Sequence, residues 1–210
     1  MVEIDTLIDD MGLAYVDKPM AYGKSALTKF DDGDWIASLK HDGWNAQVIY
    51  LGEESPIVIS RSNTELAISD ELRSEVQSLD LPIGTILNGE WVKRRREGQK
   101  EYLYVFDLLS ISLVEGRFNY LRKMPFIERY RWAKENVVEG EILKMSPIYE
   151  TGFVDLFEEA QEDPDNEGLV LKLKDFELIL SRTSCKKNSD MVKVKWRDGP
   201  GGNVDMNIFD

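Results

Sequence analysis

Between Trp35 and Trp196 the chain is a succession of short runs rich in β-branched and aromatic residues, each closed by glycine, proline or a charged turn. Runs of that length and composition read as strands. "WIASLKHDGWNAQVIYL" gives one strand, a glycine-marked irregularity and a second strand, and "PIVISRS" gives a third. "TILNGEWVK" and "EYLYVFDLLS" are two more, joined by the charged turn "RRREGQ"; "EILKMSPIYE", "EGLVLKLKD" and "MVKVKW" follow. Helical patterns interrupt them. In "ISDELRSEVQSL" the apolar Ile68, Leu72, Val76 and Leu79 recur at spacings of four, four and three, one face of a helix. "FNYLRKMPFIERYRWAKENV" reads as a helix that Pro125 starts or kinks, and "VDLFEEAQED" as another. The stretch through Asp34 reads as a short helix and a wrapping segment. Strands with intercalated helices and no internal repeat predict an α+β sheet domain rather than a regular βαβ series. Its expected extent is 1–196, followed by a flexible, Gly-rich acidic tail at 197–210.

A chain of 210 residues buries roughly 70% of its unfolded surface, enough for one substantial core. No run approaches the ~20 apolar residues of a membrane span, and the Asp-rich start is unlike a signal peptide. The single cysteine, Cys185, has no intrachain partner. A cytoplasmic monomer away from membranes is the expectation. With 26 Lys and Arg against 39 Asp and Glu, the net charge of -13 excludes a generic nucleic-acid-coating protein. Any polyanion must be met by a local basic patch.

Lys40-His41-Asp42-Gly43 is the sharpest chemical feature. A lysine closing an apolar strand is a nucleophile only when neutral, which requires burial or nearby positive charge. Gly43 would let the backbone approach a phosphate. On its own such a tetrad more often marks a solvated hairpin turn. Other candidate residues follow in order: Arg61 after "PIVIS", Glu90 within an apolar strand, Phe106 beside Asp107, and Glu167 before a glycine. Lys193 and Lys195, two apart, share a strand face. Singly, each has a bland reading as core or solvated side chain.

Taken in order, "KHDG", "SR", "NGE", "YVFDLL", "EGLVLK" and "VKVK" resemble the successive motifs of the covalent nucleotidyltransferases. These are the ATP-dependent DNA ligases, RNA ligases and mRNA capping guanylyltransferases. The resemblance runs over roughly residues 17–196. It implies an ATP-grasp-like adenylation domain of two antiparallel sheets flanked by helices, with ATP bound between them. It implies that Lys40 attacks the α-phosphate of ATP, expels pyrophosphate and carries AMP as a phosphoramidate. Lys193 and Lys195 would grip the α-phosphate, Glu90 the ribose hydroxyls, and Phe106 would stack on the purine. Glu167, with Asp42 assisting, would place Mg²⁺ or Mn²⁺. Arg61 would serve the ribose and later a 5′-phosphate, whose geometry its planar fork suits.

"KPMAY", the segment after "FDLL" and the helix "LRKMPFIERY" resemble the DNA ligases, so nicked duplex DNA is the expected partner. Asn45 departs from that group, which usually has arginine there, and is more typical of RNA ligases. Ser38 stands where the DNA enzymes often carry glutamate. RNA ends therefore stay open as the alternative, with guanylyltransferase and a non-catalytic binding module behind. Only fourteen residues follow Trp196, too few for the OB-fold with which these enzymes usually continue, so no OB domain is expected. Without one, Lys93-Arg94-Arg95-Arg96 at a hairpin tip is a candidate clamp on nucleic acid, Arg94 and Arg95 foremost; it reads equally as a solvated turn. His41 reads as structural and Cys185 as incidental.

Overall fold

The computed structural model describes residues 4–52, 55–93, 100–163, 165–181 and 183–196. Arg94, Arg95 and the expected tail at 197–210 lie outside them. Among the described residues five α-helices and twelve strands follow in chain order: α1 (Ile4–Asp9), β1 (Tyr15–Val16), β2 (Lys18–Tyr22), α2 (Leu27–Phe30), β3 (Trp35–His41), β4 (Trp44–Tyr50) and β5 (Ile57–Ser60) begin the series. Then come α3 (Asp70–Gln77), β6 (Thr85–Val92), β7 (Tyr102–Val114), β8 (Arg117–Tyr120), α4 (Phe126–Asn136) and β9 (Leu143–Met145). The last elements are α5 (Phe153–Glu159), β10 (Asn166–Leu173), β11 (Leu180–Ser181) and β12 (Lys187–Lys195).

The fold is α+β. Two main sheets carry it, one ordered β2-β12-β10-β3 and one ordered β5-β4-β6-β7-β8, with β9 also paired to β7. Neither sheet is purely antiparallel as expected. β2 runs parallel to β12, and β9 runs parallel to β7. A third, two-stranded ribbon pairs β1 with β11. β9 lies in the strand expected from "EILKMSPIYE", whereas β1, β2 and β11 come from segments too short or too polar to announce themselves by periodicity. The segment "KPMAY", expected as wrapping chain, is the edge strand β2, where Pro19 is tolerated.

The helices begin where local chemistry starts them. Ser69 caps α3 by accepting the Leu72 N–H at 3.1 Å, and Asp70 and Glu71 occupy its first turn. Leu72 and Val76 are buried, as their spacing requires. The helical reading of residues 118–137 holds only from Phe126 onward. Pro125 is the cap of α4, and the preceding segment is β8, with Phe118 buried and Asn119 exposed in strand alternation. Glu115 and Gly116, both at positive φ, turn β7 back into β8.

Each main sheet has its own core. One joins β3, β10 and β12 to α2 and α5 through Phe30, Trp35, Phe153, Phe157, Leu169 and Val192. The other packs the longer sheet against α3 and α4 through Val48, Leu72, Val76, Leu103, Phe126 and Tyr130. β3 and β4 are adjacent in sequence but belong to different sheets, so Asp42 and Gly43 form a crossover rather than a hairpin. The passage is tight: a Cβ on Gly43 would run into the carbonyl oxygen of Trp91.

Pairing of β10 with β3 slips by one residue. Asn166 faces His41 and Leu169 faces Leu39, so Glu167 and Gly168 together oppose Lys40. Without that bulge Glu167 would share the core-directed face of Leu169 and Leu171. Gly168 sits at φ 150°, and a Cβ there would collide with the Val194 carbonyl of β12. Gly168→Ala is therefore expected to cost about 2 kcal/mol or more in urea unfolding, combining strain with overpacking. Gly23→Ala, at an ordinary φ of -78° with open space around it, serves as the neutral comparison.

Candidate active site

Between the two sheets lies a cleft of about 500 Å³, closed at its inner end by the core residues Leu109, Phe176 and Met191 and within the size range of small-molecule sites. Lys40, Arg61, Glu90, Phe106 and Lys193 all line it. They come from β3, the turn after β5, β6, β7 and β12, so residues far apart in sequence converge. On β3, Trp35 and Ala37 enter the core while Ser38 and Lys40 face the cleft, the alternation of a half-buried strand. Lys193 likewise alternates with buried Val192 and Val194.

At one edge of the cleft Glu167 accepts from two ammoniums. Lys40 Nζ contacts its Oε1, and Lys195 Nζ lies 2.6 Å from its Oε2. Burial pushes the Glu167 carboxyl up, but hydrogen bonds and charge from Lys195 and Lys40 outweigh it and hold the pKa below the ordinary range. Lys193 is depressed first by desolvation, then by the like charges of Lys195 and Lys40. Three lysines against one carboxylate leave a net positive charge that suits an anion.

Glu90 lies on the wall of the cleft. Burial pushes its carboxyl up to about 7, against the opposing pull of Lys40 and Arg61. Asn45, on the neighbouring strand, is buried and donates through Nδ2 to Asn88 Oδ1 at 2.9 Å and to the Gly89 carbonyl at 3.1 Å. Asp42 stands at the end of β3, outside the cleft lining, its main-chain N–H bonded to the Asp165 carbonyl at 2.9 Å. Among the described residues no group of three or more His, Cys, Asp or Glu side chains could hold a metal ion. The available donors are the hard carboxylate oxygens of Glu167 and Glu90. One or two carboxylates completed by phosphate oxygens suit Mg²⁺, so the residues fit a cation arriving with a nucleotide.

Phe106 owes its position to a second slip in pairing. Asn88 faces Asp107 and Gly89 faces Val105, leaving Phe106 as an extra residue in β7. Phe106 and Asp107, though adjacent, therefore both line the cleft. Beneath them lies a buried ionic cluster that the sequence did not reveal. Arg129 of α4 grips Asp107 in a fork, Nε to Oδ1 at 2.9 Å and Nη2 to Oδ2 at 3.2 Å. It also donates to the Phe176 carbonyl at 3.0 Å. Lys172 of β10 stands 3.4 Å from Asp107 Oδ2 and 4.6 Å from the Phe106 ring centre. Burial raises the Asp107 carboxyl, yet Arg129 and Lys172 more than compensate and leave it low. The available signals were an arginine within an otherwise core-facing helix and a lysine in the fourth motif, both of which also fit solvent.

His41 is buried and stacked on Tyr104, with ring centres 3.7 Å apart and planes at 10°. Desolvation lowers its pKa to about 4, so it stays neutral near pH 7 as part of the wall. Cys185 lines the cleft, with Sγ 3.7 Å from the Arg61 carbonyl.

No protein-family model matches the chain, and no curated protein matches it significantly. Solved structures do. The ligase domain of Mycobacterium tuberculosis LigD superposes with a TM-score of 0.64 at 16% identity, over 86% of this chain and 59% of that one. Mycobacterial DNA ligase D complexed with ATP gives 0.66 at 15% identity, over 88% and 61%. The ATP-dependent DNA ligase of bacteriophage T7, complexed with ATP, gives 0.54 at 15% identity, over 90% and 69%. The chain thus has the fold of ATP-dependent DNA ligase catalytic domains and spans about three-fifths of the length of the first two.

Two measurements follow from the buried charges. The folded chain holds the Glu90 proton to about pH 7, whereas an unfolded carboxyl releases it near 4.5, so stability contributed here falls as pH rises through that window. Glu90→Gln is expected to remove this fall, seen as a more favourable change in urea midpoint between pH 5 and pH 8 than in the wild type. Arg129→Leu leaves Asp107 buried without its fork and is expected to cost about 3–5 kcal/mol in the same unfolding assay.

Proposed function

We propose that the chain is the adenylation domain of an ATP-dependent polynucleotide ligase that acts on nicked duplex DNA. The observation that carries this reading is Lys40, held at the crossover between two sheets, lining a cleft and flanked by Glu167, Lys193 and Lys195. The likeness in fold to ATP-dependent DNA ligases complexed with ATP supports it.

In the proposed reaction the Lys40 amine attacks the α-phosphorus of ATP. A P–N bond forms, the P–O bond to pyrophosphate breaks, and one proton leaves the nitrogen. That proton has an acceptor within hydrogen-bond reach in Glu167. Lys193 and Lys195 hold the phosphoryl oxygens as charge shifts toward pyrophosphate. Phe106 stacks on the purine, while Glu90 accepts from the ribose hydroxyls and Arg61 binds first ribose and then the terminal phosphate. Glu167, assisted by Asp42 and by phosphate oxygens, would hold Mg²⁺ or Mn²⁺, which would supply charge neutralisation to the transferring group. An oxygen of a 5′-phosphate then takes AMP from Lys40, restoring the amine, and a 3′-hydroxyl attacks that phosphate and releases AMP. Arg94 and Arg95 contact the duplex, and the domain works as a monomer in the cytoplasm.

An RNA ligase is the second reading, favoured by one observation. Asn45, where DNA ligases usually carry a charged arginine, is buried in the cleft wall with its Oδ1 unpartnered. Intact-protein mass after incubation with ATP and Mg²⁺ tests the core of the proposal. The wild type is expected to gain one AMP and Lys40→Ala none; a non-catalytic binding module gains none in either. Challenging the labelled protein with nicked DNA and nicked RNA separates the two substrates.

A further inference from the structure

Asn88 lines the cleft on β6, two residues from Glu90 and on the same strand face, and the proposed reaction gives it no part. The orientation of its carboxamide follows from its neighbours. Asn45 Nδ2 donates to the Gly89 carbonyl, which can only accept, and the same Nδ2 donates to Asn88 at 2.9 Å. Asn88 therefore turns its oxygen to Asn45 and keeps both Nδ2 hydrogens for another partner. Asp107, its register partner on β7, does not take them: that carboxylate is held by the Arg129 fork and Lys172. Among the described residues no group accepts from Asn88 Nδ2. Nor is the atom sealed off, as both amide atoms of its other register partner, Gln47, are. A fixed amide with an open donor in the wall of a cleft is equipped to bind a ligand acceptor.

Its place in the wall says which acceptor it meets. β6 leads inward from the nucleophile: Gly43 abuts Trp91, and Glu90 and then Asn88 follow. In the proposed complex the phosphates lie at Lys40, Glu90 holds the ribose hydroxyls and Phe106 carries the base. Asn88 is about 7 Å beyond Glu90 along the strand and pairs with Asp107, the neighbour of Phe106. It therefore stands where ribose gives way to base. In an anti nucleotide the 2′-hydroxyl and purine N3 share one edge, the edge that faces the minor groove of a helix. A strand that meets the 2′-hydroxyl through a carboxylate meets N3 with its next residue on that face. N3 carries a lone pair and no hydrogen, so it needs a donor. Guanine has the same ring nitrogen, so such a contact fixes the pose of the base without telling the two purines apart.

We infer that Asn88 Nδ2 donates to N3 of the bound purine and holds the base in place on Phe106. The inference rests on the nucleotide-binding part of the ligase reading.

The test follows lysyl-AMP formation at subsaturating nucleotide in wild type, Asn88→Ala and Asn88→Asp. Three nucleotides are compared: ATP, 3-deaza-ATP, in which C–H replaces N3, and 7-deaza-ATP, which keeps N3. The wild type is expected to use 3-deaza-ATP about tenfold less well than ATP, the scale of one buried donor left unpaired, and 7-deaza-ATP nearly as well as ATP. Asn88→Ala is expected to lose about tenfold with ATP and nothing further with 3-deaza-ATP, because both changes remove the same bond. Asn88→Asp keeps the oxygen that Asn45 needs and loses only the donor. It is expected to fall at least as far as the Ala variant, whereas a purely structural role would leave it near wild type. Equal use of ATP and 3-deaza-ATP by the wild type overturns the inference, as does an equal loss with both deaza analogues. So does an Ala loss that is the same on ATP and 3-deaza-ATP, or an Asp variant as active as the wild type. Those outcomes leave the ligase reading standing. A wild type that takes no AMP from ATP removes that reading instead. Equilibrium binding of the same nucleotides then decides the contact: a preference for ATP over 3-deaza-ATP that Asn88→Ala abolishes supports it, and the lack of one overturns it.

Discussion

Everything distinctive about the cleft depends on the extra residue inserted where β10 pairs with β3. A regular strand would give Glu167 the same face as Leu169 and Leu171 and bury an unpaired carboxylate among leucines. The bulge turns it out against Lys40 and Lys195, and Gly168 makes the turn possible by presenting no side chain to the backbone of β12. Two ammoniums and a carboxylate are thus held at hydrogen-bonding distance by main-chain geometry rather than by long flexible side chains searching for one another. Such preorganisation matters most where charge must be stabilised with no reorganisation at the moment of reaction.

The same device recurs in β7, where Phe106 is the surplus residue, and the two slips together explain what could and could not be read from the sequence. Element types were legible wherever a period held: the strands around Lys40, Glu90 and Lys193, and the face of α3. The order of motifs was legible because each is a short run of distinctive residues. What a period cannot report is its own interruption. A one-residue insertion reverses every side chain beyond it, so the direction of Glu167 and the shared outlook of Phe106 and Asp107 had no local signature. Sheet membership was equally hidden, since a strand, a glycine and a strand spell a hairpin whether or not the two strands pair. The strand character of Phe118–Tyr120 was masked by the helical pattern after Pro125.

Arg129, Asp107 and Lys172 show a different use of charge. Burying them has a desolvation cost that their mutual attraction only partly returns, so they are a poor source of stability. Their value is positional. The guanidinium fork ties α4 to β7, the carboxylate ties β7 to β10, and Lys172 sits above the Phe106 ring. Any shift of α4 would thereby be felt at the Phe106 ring in the cleft.

The parallel pairing of β2 with β12 has a consequence in time. Lys18–Tyr22 must wait for partners at Lys187–Val194, and Tyr15–Val16 for Leu180 and Ser181. Closing so long a stretch of chain is entropically slow. During synthesis the longer sheet can assemble from β4 to β9, while the wall bearing Lys193 and Lys195 does not exist until β12 has emerged. An incomplete chain can thus hold the cleft wall formed by β4, β6 and β7 while lacking the strand that brings Lys193 to it.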